Sequence, residues 1–142
     1  MSKKREFILW FRDLTINDVP IVGGKNASLG EMYRTLTKKG VNIPNGFAVT
    51  AYAYRYFLKK AKIQNKIRQI LSDLDTHNIR NLAEKGRNVR KTILEAELPE
   101  ELKDAIAKAY KNLCKKYEGN ADVAVRSSAT AEDLPGASFA GQ

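Results

Sequence analysis

Cysteine, histidine and tryptophan each occur once in this chain of 142 residues. The lone Cys114 excludes an internal disulfide and fits a reducing compartment, so a cytoplasmic location is expected. Its place in a helical pattern reads as a small core side chain. The lone histidine, His77, sits between Thr76 and Asn78 in a polar joint with no acidic or glycine-rich partner. It supports no Ser-His-Asp arrangement, and a surface position is expected. No apolar run approaches the roughly 20 residues needed to cross a bilayer, so no membrane partner is expected. The basic start Met1-Ser2-Lys3-Lys4-Arg5 is followed only by the apolar Phe7 to Phe11, broken by Arg12-Asp13, which does not read as a signal peptide. Neither internal repeats nor low-complexity segments occur.

What is present fits one domain of ordinary size, expected to cover residues 1–142. Hydrophobic residues make up 43% and charged residues 29%, which does not suggest disorder. The net charge of +9 and an isoelectric point near 9.7 admit nucleic acid or a polyphosphate as partner. The cations are spread along the chain and mostly alternate with apolar helix positions, however, which reads as solvated helix faces.

Phe7 to Phe11 reads as a short strand and Leu14 to Val22 as irregular chain containing Pro20. Gly23-Gly24 opens a helix whose Leu29, Met32, Tyr33 and Leu36 form an apolar face. Gly40 stops it. Phe47 to Val49 is a second strand, and Thr50 caps a helix from Ala51 to about Lys60. Ile63, Ile67, Ile70, Leu71 and Leu74 predict one helical stripe. Ile79, Leu82, Val89 and Ile93 predict another, with Gly86 inside it. Pro99, Glu100 and Glu101 start the clearest helix, with Leu102, Ile106, Ala109, Tyr110, Leu113 and Tyr117 on its buried side and Gly119 at its end. Val123 to Arg126 is expected to be the last strand. Few strands among many helices predict a mixed α/β or α+β fold.

Two glycine motifs carry chemistry. In Gly23-Gly24-Lys25-Asn26-Ala27-Ser28-Leu29-Gly30-Glu31, Lys25 falls at a helix start, where it opposes the positive end of the helix dipole. A phosphate bound there would pair with the ammonium and accept the free N–H groups. The alternative is a Gly-Gly turn with a solvated lysine. Asn26 after Lys25 excludes a Walker P-loop. In the second motif Arg126 precedes a long loop of small residues with the hydroxyls of Ser127, Ser128, Thr130 and Ser138, and Gly136 frees the backbone. Arginine's planar fork suits phosphate oxygens, and small residues let backbone N–H groups crowd an anion. The alternative is a structural ion pair of Arg126 with Glu132 or Asp133. These two adjacent carboxylates are poorly disposed to share one magnesium ion.

The Gly23 to Glu31 motif, Gly46-Phe47-Ala48-Val49-Thr50-Ala51-Tyr52-Ala53-Tyr54, and the block from Val125 to Gln142 resemble, in order, the N-terminal nucleotide-binding region of the phosphoenolpyruvate synthase (pyruvate, water dikinase) family. Pyruvate, phosphate dikinase and rifampicin phosphotransferase share much of this pattern. The resemblance runs from about Phe11 to Gln142. One departure is Asn45 where the family often has a second proline after Pro44.

The resemblance implies the helix-rich N-terminal subdomain of an ATP-grasp type nucleotide-binding domain. It implies ATP as ligand, contacted by Lys25 and Arg126 and covered by a loop containing Gly136, Ala137 and Ser138. It also implies Mg2+, held by ligands outside this chain. The family converts ATP, pyruvate and water to AMP, phosphoenolpyruvate and phosphate through a phosphohistidine on a separate domain. The chain is therefore expected to be the ATP-binding portion of such an enzyme and to be inactive alone, with pyruvate reached only through other domains. His77 matches no family catalytic position. Two other readings stand beside this one: a basic nucleic-acid binding module, and a stand-alone regulatory subunit paired with the remainder of a split dikinase.

Overall fold

The structure, a computed structural model, describes residues 3–117 and 119–131. Its two apolar, aromatic-rich segments suit extended backbone and form antiparallel strands β1 (Ile8–Trp10) and β2 (Phe47–Val49), with Leu9 opposite Ala48 and Trp10 opposite Phe47. The Trp10 and Phe47 rings meet edge to face at 5.5 Å. Thr50 closes the sheet and starts the next helix: its buried hydroxyl donates to the Glu6 carbonyl at 2.6 Å and accepts from the Ala53 N–H at 3.1 Å. With this small two-stranded sheet among many helices, the fold is α+β.

Two compact units divide the chain, Met1–Tyr54 with Glu101–Gln142, and Arg55–Glu100. In the first, Leu14 to Val22 is not irregular, as its sequence suggests. It forms a 3₁₀ turn, Ile16–Asp18, and a single helical turn, α1 (Val19–Val22). Pro20 is tolerated because a first-turn N–H has no helical partner to lose. Asp18 organises the turn. Its buried carboxylate accepts from the Thr15 N–H at 2.8 Å, the Thr15 hydroxyl at 3.0 Å and the Lys3 ammonium at 2.8 Å. Burial pushes the Asp18 pKa up, but the hydrogen bonds from Lys3 and Thr15 and the Lys3 charge outweigh it and hold the carboxyl below its ordinary value.

A depressed folded-state pKa contributes stability above the unfolded carboxylate value, about 3.9, and that contribution disappears as pH falls through the folded value. Replacement Asp18→Ala is expected to cost about 1–2 kcal/mol near neutral pH, the scale of a lost cap plus a half-exposed ion pair. Urea melts of both proteins from pH 7 down to pH 2 check this, since the gap should narrow as the wild-type carboxylate protonates.

Helix α2 (Gly24–Leu36) buries an unexpected side. Its buried residues are Gly24, Ala27 and Gly30, whereas Met32 of the predicted apolar face is 40% exposed. The cause is close approach: a Cβ on Gly30 would lie 2.3 Å from the Leu14 Cβ and 3.1 Å from the Phe11 carbonyl oxygen. Small residues let the α2 backbone descend onto the 3₁₀ turn Phe11–Asp13. Leu9, Leu14, Val22, Ala27 and Ala48 form the core there, with Phe11, Val19 and Ile21 packed on it. After a short 3₁₀ turn, Thr37–Lys39, the helix ends at Gly40 as expected.

Helix α3 (Ala51–Lys60) follows β2. In the second unit, α4 (Gln64–Ile70) packs on α5 (Ile79–Leu94). Asn78 caps α5 by accepting from the Arg80 and Asn81 N–H groups at 3.1 and 3.2 Å. The predicted stripes are only partly buried, with Ile79 80% and Leu82 45% exposed, and α4 stops before Leu71 and Leu74. Helix α6 (Glu100–Lys116) follows Pro99 and buries Leu102, Ala109 and Leu113. Tyr110 and Tyr117, expected inside, are exposed enough to use their hydroxyls: Tyr110 donates to the Ala121 carbonyl at 3.0 Å, and Tyr117 accepts from the Asn45 N–H at 2.9 Å. Among the described residues no helix is long and apolar enough to cross a membrane.

Candidate functional site

The site begins at Gly23. This residue ends α1 and precedes α2 with φ +82° and ψ 161°, a backbone region nearly closed to other residues. Its N–H donates to the Val19 carbonyl at 2.8 Å, and its carbonyl accepts from the Ala27 N–H at 3.0 Å. The turn thus joins two helical segments in little space. Gly23, the residue before α2, has no side chain with which to cap it, and a helix start carries N–H groups and a partial positive charge. Lys25 is exposed in the first turn, as its sequence position implies.

The second motif lies on the same turn. The Ser128 hydroxyl donates to the Val22 carbonyl at 2.9 Å, and the Gly24 N–H donates to the Ala129 carbonyl at 3.4 Å. A Cβ on Gly23 would stand 2.2 Å from the Ser128 Oγ and 2.9 Å from the Ala129 oxygen. The chain around Ser128 therefore rests against a glycine that nothing larger could replace. Arg126 is exposed and two residues from Ser128, a span of at most about 7 Å along the chain. Lys25 is two residues from Gly23 on the other side of the contact.

The expected strand over Val123–Arg126 is absent: among the described residues this segment has no ladder partner, and Val125 is 93% exposed. Alternating valines favour a strand only where a neighbouring backbone accepts their hydrogen bonds. Gly136, Ala137, Ser138, Glu132 and Asp133 lie outside the described residues. The sequence reading missed Asn26, whose side-chain amide donates to the same Val22 carbonyl at 2.9 Å. One carbonyl thus takes a donor from each motif. An asparagine four residues after a potential acceptor in a helix-opening turn is the only sequence signal for it.

A second feature of this unit is a cleft of about 390 Å³ lined by Phe7, Ile8, Trp10 and Tyr52 together with Arg5 and Lys108. It is lined by neither Lys25 nor Arg126, so it is separate from the Gly23 turn. His77 is exposed, as expected, with its N–H on the Asp75 carboxylate at 3.0 Å. Among the described residues no group of three or more His, Cys, Asp or Glu could hold a metal ion.

Residues 19–142 match the family described as pyruvate phosphate dikinase, AMP/ATP-binding domain. The chain is 53% identical to a phosphoenolpyruvate synthase of Synechocystis sp., over 99% of this chain and 18% of that protein. It is 52% identical to the phosphoenolpyruvate synthase of Aquifex aeolicus, over 100% of this chain and 17% of the relative. With the phosphoenolpyruvate synthase of Escherichia coli it shares 48% identity, over 95% of this chain and 17% of the relative. The chain thus spans less than a fifth of the length of these relatives.

Proposed function

We propose, because this chain belongs to the pyruvate phosphate dikinase AMP/ATP-binding domain family, that it is the N-terminal ATP-binding portion of a phosphoenolpyruvate synthase-like dikinase. Lys25 and Arg126 hold the polyphosphate, and the stretch with Gly136, Ala137 and Ser138 covers it. The domain is of the ATP-grasp type, and residues 1–142 act as one part of it. The observation that supports this reading is the seating of Ser128 and Ala129 on the Gly23–Gly24 turn, which brings the two cation-bearing motifs together at the start of α2.

The chemistry available to these residues is positioning and charge neutralisation. Phosphoryl transfer needs little covalent work from a protein and much electrostatic support for oxygens that gain charge. An ammonium and a guanidinium suit that task, the guanidinium by two parallel hydrogen bonds. Magnesium supplies further neutralisation in such reactions, and its ligands are assigned outside this chain. The acceptor histidine and the pyruvate site are assigned to other parts of the enzyme. On this reading the chain alone performs no phosphotransfer.

Titration calorimetry with ATP on the chain and on Lys25→Ala and Arg126→Ala tests the proposal. Each replacement is expected to weaken binding about tenfold or more, the scale of a lost charged hydrogen bond. Equal affinity in all three proteins would refute the site. The net charge of +9 favours one other reading, binding of a nucleic acid. A steep loss of DNA or RNA affinity with rising salt, without competition from ATP, would replace the nucleotide reading.

A further inference from the structure

We propose that Ser128 is a positioning residue that makes Lys25 and Arg126 act as a pair. The proposal rests on the nucleotide reading above and adds the device by which the two cations reach one ligand. The Ser128 Oγ donates to the Val22 carbonyl at 2.9 Å across 106 residues of sequence. Beside it, the Ala129 carbonyl accepts from the Gly24 N–H at 3.4 Å, longer than an ordinary amide bond. The hydroxyl bond is therefore the stronger of the two ties. Among the described residues, 123–126 have no strand ladder to help, and Val123 and Val125 are 48% and 93% exposed.

The Val22 carbonyl has two lone pairs, and both have donors: Ser128 from the distant segment and the Asn26 side chain from α2. Asn26 directly follows Lys25, and Ser128 lies two residues after Arg126. One peptide oxygen thus fixes the local frame of each cation relative to the other. Gly23 makes this possible, since any side chain there would occupy the position of the Ser128 oxygen. Removing the hydroxyl frees the Arg126 segment and leaves Lys25 on its helix. Two cations held at a fixed separation bind one polyphosphate cooperatively, whereas a tethered and a fixed cation bind nearly independently.

The test is calorimetry with ATP at constant ionic strength on the wild-type chain, Ser128→Ala and Ser128→Thr. Lys25→Ala and Arg126→Ala are added singly and together in the wild-type and Ser128→Ala backgrounds. Ser128→Ala should bind ATP about tenfold more weakly, and Ser128→Thr, which keeps the hydroxyl, should recover most of that loss. The losses from Lys25→Ala and Arg126→Ala should be non-additive in the wild type and additive in Ser128→Ala. Amide exchange without nucleotide gives an independent readout: the Gly24 N–H should exchange faster in Ser128→Ala and return toward wild type in Ser128→Thr. Unchanged affinity in Ser128→Ala, or coupling that survives in that background, overturns the positioning role while leaving the nucleotide site intact. A wild-type chain that takes up no ATP at millimolar concentration overturns the nucleotide reading itself, and the positioning role with it.

Discussion

Replacing Gly23 with alanine should lower stability by about 3 kcal/mol or more and release the segment around Ser128. Two costs add. The backbone there, φ +82° and ψ 161°, costs a non-glycine residue about 1–3 kcal/mol. The new methyl would also stand 2.2 Å from the Ser128 Oγ and 2.9 Å from the Ala129 oxygen, an overpacking worth about 1–3 kcal/mol. In thermal melts this corresponds to a midpoint lowered by about 10 °C for a chain of this size. The double variant Gly23→Ala with Ser128→Gly separates the two costs, because it removes the nearest oxygen and keeps the backbone demand. It should recover part of the loss and no more. A Gly23→Ala protein that melts like the wild type would mean that neither the turn nor its contact exists as described.

Leu14→Ala should cost about 4 kcal/mol, near the upper end of the range for leucine truncations. Leu14 is fully buried at 0% exposure and belongs to the core under α2. The cost of such a cavity depends on how far its walls can move inward. Here the nearest wall is already in place: Gly30 leaves no room between the α2 backbone and the Leu14 Cβ, an atom that alanine keeps. The helix therefore has no slack with which to fill the space left by the lost methyl groups. Volume-conserving Leu14→Met should cost less than about 1.5 kcal/mol. Urea unfolding of both variants checks the contrast, and equal losses would refute the packing account.

How much of this was legible in the sequence differs by element. Both strands, Thr50 as a cap, Gly40 as a stop and the start of α6 after Pro99 follow from local chemistry, and the structure has all of them. The buried side of α2 does not follow. Hydrophobic spacing selects Leu29, Met32, Tyr33 and Leu36, but close backbone approach selects Gly24, Ala27 and Gly30, and sequence spacing carries no information about the 3₁₀ turn that wedges beneath them. Leu14 to Val22 misled for a related reason. Pro20 reads as a breaker, and the carboxylate of Asp18, reaching back to Thr15 and across to Lys3, makes a helical start of it. The strand at Val123–Arg126 depends on a partner backbone, which no property of the valines reveals. At the candidate site, Lys25 and Arg126 were legible as cations in glycine-rich surroundings. The meeting of their two motifs at the Val22 carbonyl was not, because a backbone oxygen has no letter in the sequence.

The bond from Ser128 to Val22 closes a loop of 106 residues. Closing so long a span carries a larger entropic cost than any local turn, and contacts of that separation form after the local ones during folding. On a ribosome, α1 and the start of α2 leave the tunnel long before Ser128 is made. The joined turn is therefore a late product of synthesis: α2 can form while its contact with Ser128 and Ala129 does not yet exist.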